Sequence, residues 1–210
     1  MSILPTVKDA LILVDLQTDF LPGGHLAVAD GDAVIPLCNR LARRFDNVVL
    51  TQDWHPAGHI SFASTHPGQT PFDVITLPYG PQVLWPDHCV QGTPGAGFSP
   101  DLDMPHAQLI IRKGYHQAVD SYSGFQEADR ATRTGLAGYL KERGIDRLFI
   151  CGLATDFCVA WTALDARAAG FETSVIDDAS RAIDANGSLS RAWADMTAAG
   201  VHRITSGELL

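Results

Sequence analysis

The chain has 210 residues, 46% of them hydrophobic, enough for one globular domain over residues 1–210 with a sizeable core. A formal charge of −9, with no basic cluster beyond scattered pairs such as Arg43 and Arg44, argues against nucleic acid or anionic membrane as partners. The first apolar run is broken by Pro5, Lys8, Asp9 and Asp15 and so reads as neither secretory signal nor membrane span; the scattered Cys38, Cys89, Cys151 and Cys158, with no C-x-x-C pair, read as free thiols in a cytoplasmic setting.

In chain order, ALILVD (10–15) is a continuous apolar strand ending in Asp15, the pattern of a strand buried on both faces of a parallel sheet. A Gly-rich connection then leads to a helix over 33–44, with Asp30 or Asp32 as its N-cap. Its glycines form turns rather than a phosphate cradle, because neither G-x-G-x-x-G nor G-x-x-x-x-G-K is present. NVVLTQDWH (47–55) is a second strand, and Asp53 and His55, two apart on an extended chain, face the same side.

Residues 56–107 show no helical or alternating periodicity, and a connection of that length is expected to be functional. With the flanking His55 it carries five of the eight histidines (His55, His59, His66, His88, His106), together with Trp85. QLIIRKG (108–114) is a third apolar run delivering Lys113 at its end, and TRTGLAGYLKERG reads as a helix closed by Gly144.

RLFICGLATDFCVAW (147–161) is a strand, a tight turn and a helix start near Thr155. It places Cys158 in the first turn, where free N–H groups, the helix dipole and a nearby ammonium would favour a thiolate. The competing reading is a small buried hydrophobe. FETSVID (171–177), a helix over 189–199 capped by Ser188, and the short strand VHRIT complete the chain. This alternation predicts a doubly wound, mainly parallel α/β fold, a six-stranded sheet with helices on both faces.

Asp15, Asp53, Lys113 and Cys158 then all fall at carboxyl ends of strands, where open parallel sheets bind ligands. Singly, Asp15 could be a turn residue and Lys113 a solvated charge. Together they suit a thiol nucleophile with a proton-shuttling carboxylate. Asp53, His55 and His88, with His59 a further candidate, suit one divalent transition metal (zinc, iron or manganese); surface histidines are the alternative.

The stretches VDLQTDF (14–20), TQDWHP and HISFAS (51–64), LWPDHCVQGTPGA (84–96), RKG, SYSGF (121–125) and GLATDFCV (152–159) resemble the nicotinamidase (pyrazinamidase) branch of the isochorismatase-like cysteine hydrolases. The resemblance spans nearly the whole chain, and GLATDFCV and WPDHCV are its specific parts. It implies a triad of Asp15, Lys113 and Cys158, an oxyanion hole from the backbone N–H groups of Ala154 and Cys158, and a metal held by Asp53, His55 and His88. It also implies a substrate pocket walled by Phe20, Trp85 and Tyr122, and a cis peptide between Ala154 and Thr155. The implied reaction is hydrolysis of a small carboxamide, nicotinamide to nicotinic acid in NAD salvage and pyrazinamide to pyrazinoic acid. Carbamoylsarcosine and ureidoacrylate amidohydrolases lack this metal cluster, and isochorismatase proper lacks the cysteine. A catalytically silent α/β binding protein is the rival from another class, and the sequence leaves a homo-oligomer open.

Overall fold

The structure, a computed structural model, describes residues 3–210; Met1 and Ser2, included in the expected domain boundary, lie outside the described residues. Six parallel strands form one sheet: β1 (Asp9–Val14), β2 (Asn47–Asp53), β5 (Leu109–Lys113), β6 (Arg147–Leu153), β7 (Glu172–Arg181) and β8 (His202–Ile204), in the order β5-β2-β1-β6-β7-β8. Between β2 and β5, β3 (Val74–Leu77) and β4 (Gly80–Val83) form a separate antiparallel hairpin. That hairpin lies within the stretch expected to be irregular. Its strands are too short and too exposed to carry a clean alternation of apolar and polar residues.

Every residue of β1 is buried, as its unbroken apolar run requires. Alternate side chains serve opposite faces: Leu11 and Leu13 pack in one core with Ile35 and Leu41 of α1 (Ile35–Ala42). Ala10, Ile12 and Val14 pack in the other core with Leu136 and Leu140 of α2 (Leu136–Glu142), Ala163 of α3 (Ala160–Ala168) and Met196 of α4 (Ser188–Ala198). Helices therefore cover both faces, as expected of a doubly wound sheet. Gly144, Gly170 and Gly200 follow α2, α3 and α4 with positive φ, the left-handed closure that glycine permits.

Three local expectations are corrected. Asp30 leads only into a 3-10 turn (Gly31–Val34), which also contains Asp32, and no side-chain cap forms there or on α1. Ser188 is the first residue of α4 rather than its cap; its hydroxyl bonds the Asp156 carboxylate, which also accepts the N–H groups of Ile183 and Asp184. The cis peptide is Leu153–Ala154, one residue before the expected position.

The chain runs outward from β1 to β2 and β5, then returns to β6 on β1's other side, so the switch point of the sheet lies between β1 and β6. Close approach at this seam depends on Gly152, whose φ is +121° and on which a Cβ would overlap the Val14 carbonyl oxygen. Gly152→Ala is therefore expected to cost about 3 kcal/mol or more, through strain and displacement of the β1–β6 pairing. Denaturant titration checks this, and a loss below about 1 kcal/mol would contradict the packing described.

Candidate active site

Parallel registration brings the strand ends together. Asp53 is the direct sheet neighbour of Lys113, and Asp15 follows the end of β1, next to β2 and β6. Asp15 has φ +49°, an uncommon conformation for a non-glycine residue and one that clusters at functional sites. Thr51 holds it there, accepting the Asp15 N–H at 3.2 Å and donating to Asp15 Oδ1 at 2.6 Å. Gln17 holds Asp53 in turn, accepting its N–H at 2.7 Å and donating to its carbonyl at 2.8 Å.

Lys113 is fully buried, and its Nζ lies 2.8 Å from Asp15 Oδ2, 3.1 Å from the Ser121 carbonyl and 3.4 Å from Cys158 Sγ, with a further contact to Asp53 Oδ1. Burial alone would lower its pKa, but Asp15 and Asp53 outweigh that and keep it charged well above lysine's ordinary range. Burial raises Asp15, Lys113 opposes the rise, and Asp53 adds to it. Asp15 Oδ2, although beside the ammonium, receives no well-directed hydrogen bond. Its neighbour is the ammonium alone, with no other donor bonded to it.

Cys158 lies in a π-helical turn (Thr155–Val159) that runs into α3. Burial pushes its thiol well above the usual value; Lys113 opposes this, while Asp15 and Asp53 reinforce it. The thiolate-favouring environment expected from the helix start and the lysine is thus corrected. Two carboxylates against one ammonium favour the protonated form. Sγ and oxygens of Asp15 and Asp53 lie within 4.8 Å of one another, so the proton has an acceptor at hand.

Lys113 joins this group to a second one. Asp53, His55 and His88 converge, with Asp53 Oδ2 standing 3.6 Å from His55 Nε2 and 3.8 Å from His88 Nε2. His55 Nδ1 donates to the Gly114 carbonyl at 2.8 Å and His88 Nδ1 to the Pro86 carbonyl at 2.7 Å, which leaves both Nε2 lone pairs facing the carboxylate. A carboxylate and two imidazole nitrogens converging in this way fit a cation. Their separations are those of donors each about 2.0–2.2 Å from one ion. Phe62 packs edge-on against both imidazoles and fixes their planes.

Burial, followed by the charge of His55, lowers His88 to about 4, and Asp53 outweighs burial to raise His55. Burial and Lys113 act oppositely on Asp53, and Lys113, with His55, holds it below the ordinary carboxylate range. His59 stacks on His55 at 4.3 Å but is otherwise engaged. Its Nε2 donates to the carbonyls of His116 and Val119, both at 3.1 Å, and its Nδ1 lies 2.7 Å from Ser61 Oγ. Burial and His55 lower it to about 4, so it is a neutral spacer with both nitrogens spent.

Phe20, Trp85, Tyr122, Ala154 and Cys158 line one cavity with Asp53, His55 and His88, so the expected substrate walls, thiol and cation ligands face a common space. Trp85 Nε1 donates to Tyr122 Oη at 3.0 Å. Sequence reasoning missed Leu26, Asp120, Ser121, Phe157 and Ile183, which also line it. Phe157, packed 4.9 Å from Trp85, stands next to Cys158 in GLATDFCV and could have been found from that adjacency; Leu26 and Ile183 carried no comparable signal.

The Isochorismatase domain family matches residues 9–208. A nicotinamidase from Acinetobacter baylyi is 65% identical over 201 residues, spanning 96% of this chain and 94% of the relative. The solved nicotinamidase/pyrazinamidase of Acinetobacter baumanii is 62% identical with a TM-score of 0.97, covering 98% of this chain and 99% of its own. A pyrazinamidase of Pyrococcus horikoshii solved in complex with zinc is 39% identical with a TM-score of 0.77, covering 94% and 99%.

Cys38, Cys89 and Cys151 are 0% exposed, whereas Cys158 is 6% exposed and opens on the cavity. Iodoacetamide followed by peptide mass mapping is expected to label Cys158 first. With the thiol pKa raised, labelling should accelerate as pH rises from neutral toward 9 or so. Earlier labelling of another cysteine, or a rate that saturates below pH 7, would contradict this environment.

Proposed function

The chain belongs to the isochorismatase family and is an amidohydrolase, and we propose that its substrate is nicotinamide, converted to nicotinic acid and ammonia in NAD salvage. Pyrazinamide, with the same carboxamide on a diazine ring, is expected to be hydrolysed too. The single domain 1–210 would act in the cytoplasm, a setting that its four free cysteines fit. The observation that carries the reading is the Lys113 ammonium, which touches Asp15, Asp53 and the Cys158 thiol at once and so couples a nucleophile to a cation site.

The cycle follows from the proton positions. A planar ring enters between Phe20, Trp85, Tyr122 and Phe157, placing its carboxamide at Cys158. As Sγ attacks the carbonyl carbon, its proton passes to Asp15, an oxygen of which lies within 4.8 Å of Sγ. Lys113 stabilises the sulfur's developing charge, and the N–H groups of Ala154 and Cys158 are assigned the oxyanion. Asp15 returns the proton to the leaving nitrogen. A water deprotonated by Asp15 then cleaves the thioester, releasing the acid and restoring the thiol. A divalent cation at Asp53, His55 and His88 would supply a Lewis-acid position for an aromatic ring nitrogen, as the donor set allows.

Replacing Cys158 by Ala is expected to lower ammonia release by about 10⁴-fold or more while leaving the circular dichroism spectrum and melting temperature near wild type. Activity within about tenfold of wild type would remove Cys158 from the reaction. Benzamide, which has C–H where nicotinamide has a ring nitrogen, is expected to show a kcat/KM about 30- to 1000-fold lower. Verified metal removal should depress nicotinamide hydrolysis by a comparable factor without blocking alkylation of Cys158. Equal turnover of the two amides, or full activity after metal removal, would refute the role given to Asp53, His55 and His88 while leaving the thiol chemistry standing.

A further inference from the structure

Asp120 is a buried acid that the mechanism above does not use. It is 2% exposed and lines the same cavity as Asp53, His55, His88 and Cys158. Its Oδ1 accepts the Ser121 N–H at 2.8 Å, and its Oδ2 accepts Gln82 Nε2 at 2.6 Å. The Gln82 amide is itself oriented, because Tyr79 Oη donates to its Oε1 at 3.0 Å. Gln82 comes from β4, so the hairpin reaches across to fix this carboxylate.

Asp120 lacks a cation. Asp53, which lines the same cavity, shares the Lys113 ammonium with Asp15, and Asp9 and Asp165 have Arg147 and Arg130. Among the described residues, no lysine, arginine or histidine nitrogen pairs with Asp120 within 4.0 Å. An oxygen of Asp120 nevertheless falls within 4.8 Å of ring nitrogens of His55 and His59. That gap is too wide for a hydrogen bond and wide enough for a bridging water. A buried carboxylate without a counter-charge is strongly disfavoured, so something in this cavity is expected to neutralise it.

The geometry indicates what: Asp120 opens on the same cavity as Asp53, His55 and His88, and one of its oxygens lies within 4.8 Å of a His55 ring nitrogen, so a cation held by those three residues would stand beside it. We propose that Asp120 is a positioning residue for the cation site: it matches the site to a divalent ion and accepts hydrogen bonds from water carried by an ion at Asp53, His55 and His88. This rests on the metal reading proposed above. His59, with both nitrogens occupied, cannot take that role and instead walls the gap.

The test measures metal binding directly. Full-length wild type, Asp120→Asn, Gln82→Leu and His55→Ala are stripped with EDTA, and zinc and manganese affinities are read by competition with a chromophoric chelator. Asp120→Asn is expected to bind about 10- to 100-fold more weakly, and Gln82→Leu, which frees the carboxylate from its donor, more weakly by a smaller factor. Asp120→Glu, which keeps the charge, should recover most of the affinity. In the cation-free state Asp120→Asn should melt at or above wild type, since it no longer buries an unneutralised charge; a purely structural Asp120 would give a lower melting temperature with unchanged affinity. If Asp120→Asn fails to fold, Gln82→Leu decides. Affinities of both variants within threefold of wild type, with binding lost in His55→Ala, would overturn the proposal. Equal binding by wild type and His55→Ala would instead overturn the metal reading on which it rests.

Discussion

A lysine with no solvent exposure is held by two carboxylates and a thiol, and the rest of the site is arranged around it. A buried ammonium is tolerable only if its counter-charges are fixed at contact, and removing one partner of such a group costs about 3–5 kcal/mol. The sheet supplies that fixation. Lys113 and Asp53 are register partners on neighbouring strands, and Asp15 leaves the adjacent strand at the same edge. Because successive strand residues point to opposite faces, a one-residue slip of β5 would turn Lys113 away and leave both acids unneutralised. The ion cluster therefore selects one register, and that register in turn sets the distance between the thiol and the Asp53, His55 and His88 group.

The same dependence explains what the sequence made legible. Asp15, Asp53 and Lys113 each terminate an apolar run, and a run ending in a charged residue marks the edge of a parallel sheet where burial gives way to a ligand crevice. Cys158 was legible because Gly152 breaks its strand just before a helix start. Asp120 was not. It ends no strand and sits in a connection whose shape is set by contacts from β4, a strand four residues long without clear alternation. Gln82 was missed for the same reason, since only the folded hairpin brings it to Asp120 and Tyr122.

His59 shows the complementary limit. Its spacing from His55 matches a ligand as well as it matches a stacked neighbour, and only the acceptors around each ring separate the two. Gly114 and Pro86 offer carbonyls to the Nδ1 atoms of His55 and His88, which turns their Nε2 atoms inward; His116 and Val119 offer theirs to His59 Nε2, which turns it away. These acceptors are backbone groups remote in sequence, so residue types alone do not report them. Gly114 also leaves room for His55, because a Cβ there would overlap the imidazole.

The thiol's pKa was misjudged because helix start and lysine were weighed without burial. Burial acts in the same direction on Cys158 and Asp15, raising the donor and the acceptor of one proton together. A low thiol pKa would leave a resting thiolate as a further negative charge among carboxylates already short of cations. A high thiol pKa beside an ordinary carboxylate would make proton transfer steeply uphill. Raising both keeps the thiol neutral at rest and makes the carboxylate a better acceptor than an unshifted one would be, so that in the proposed cycle sulfur can lose its proton as the new C–S bond draws off charge. In the same proposed cycle a carboxyl of raised pKa also returns that proton to departing ammonia. A dry, aromatic-walled pocket thus serves the chemistry through its dielectric as well as its shape.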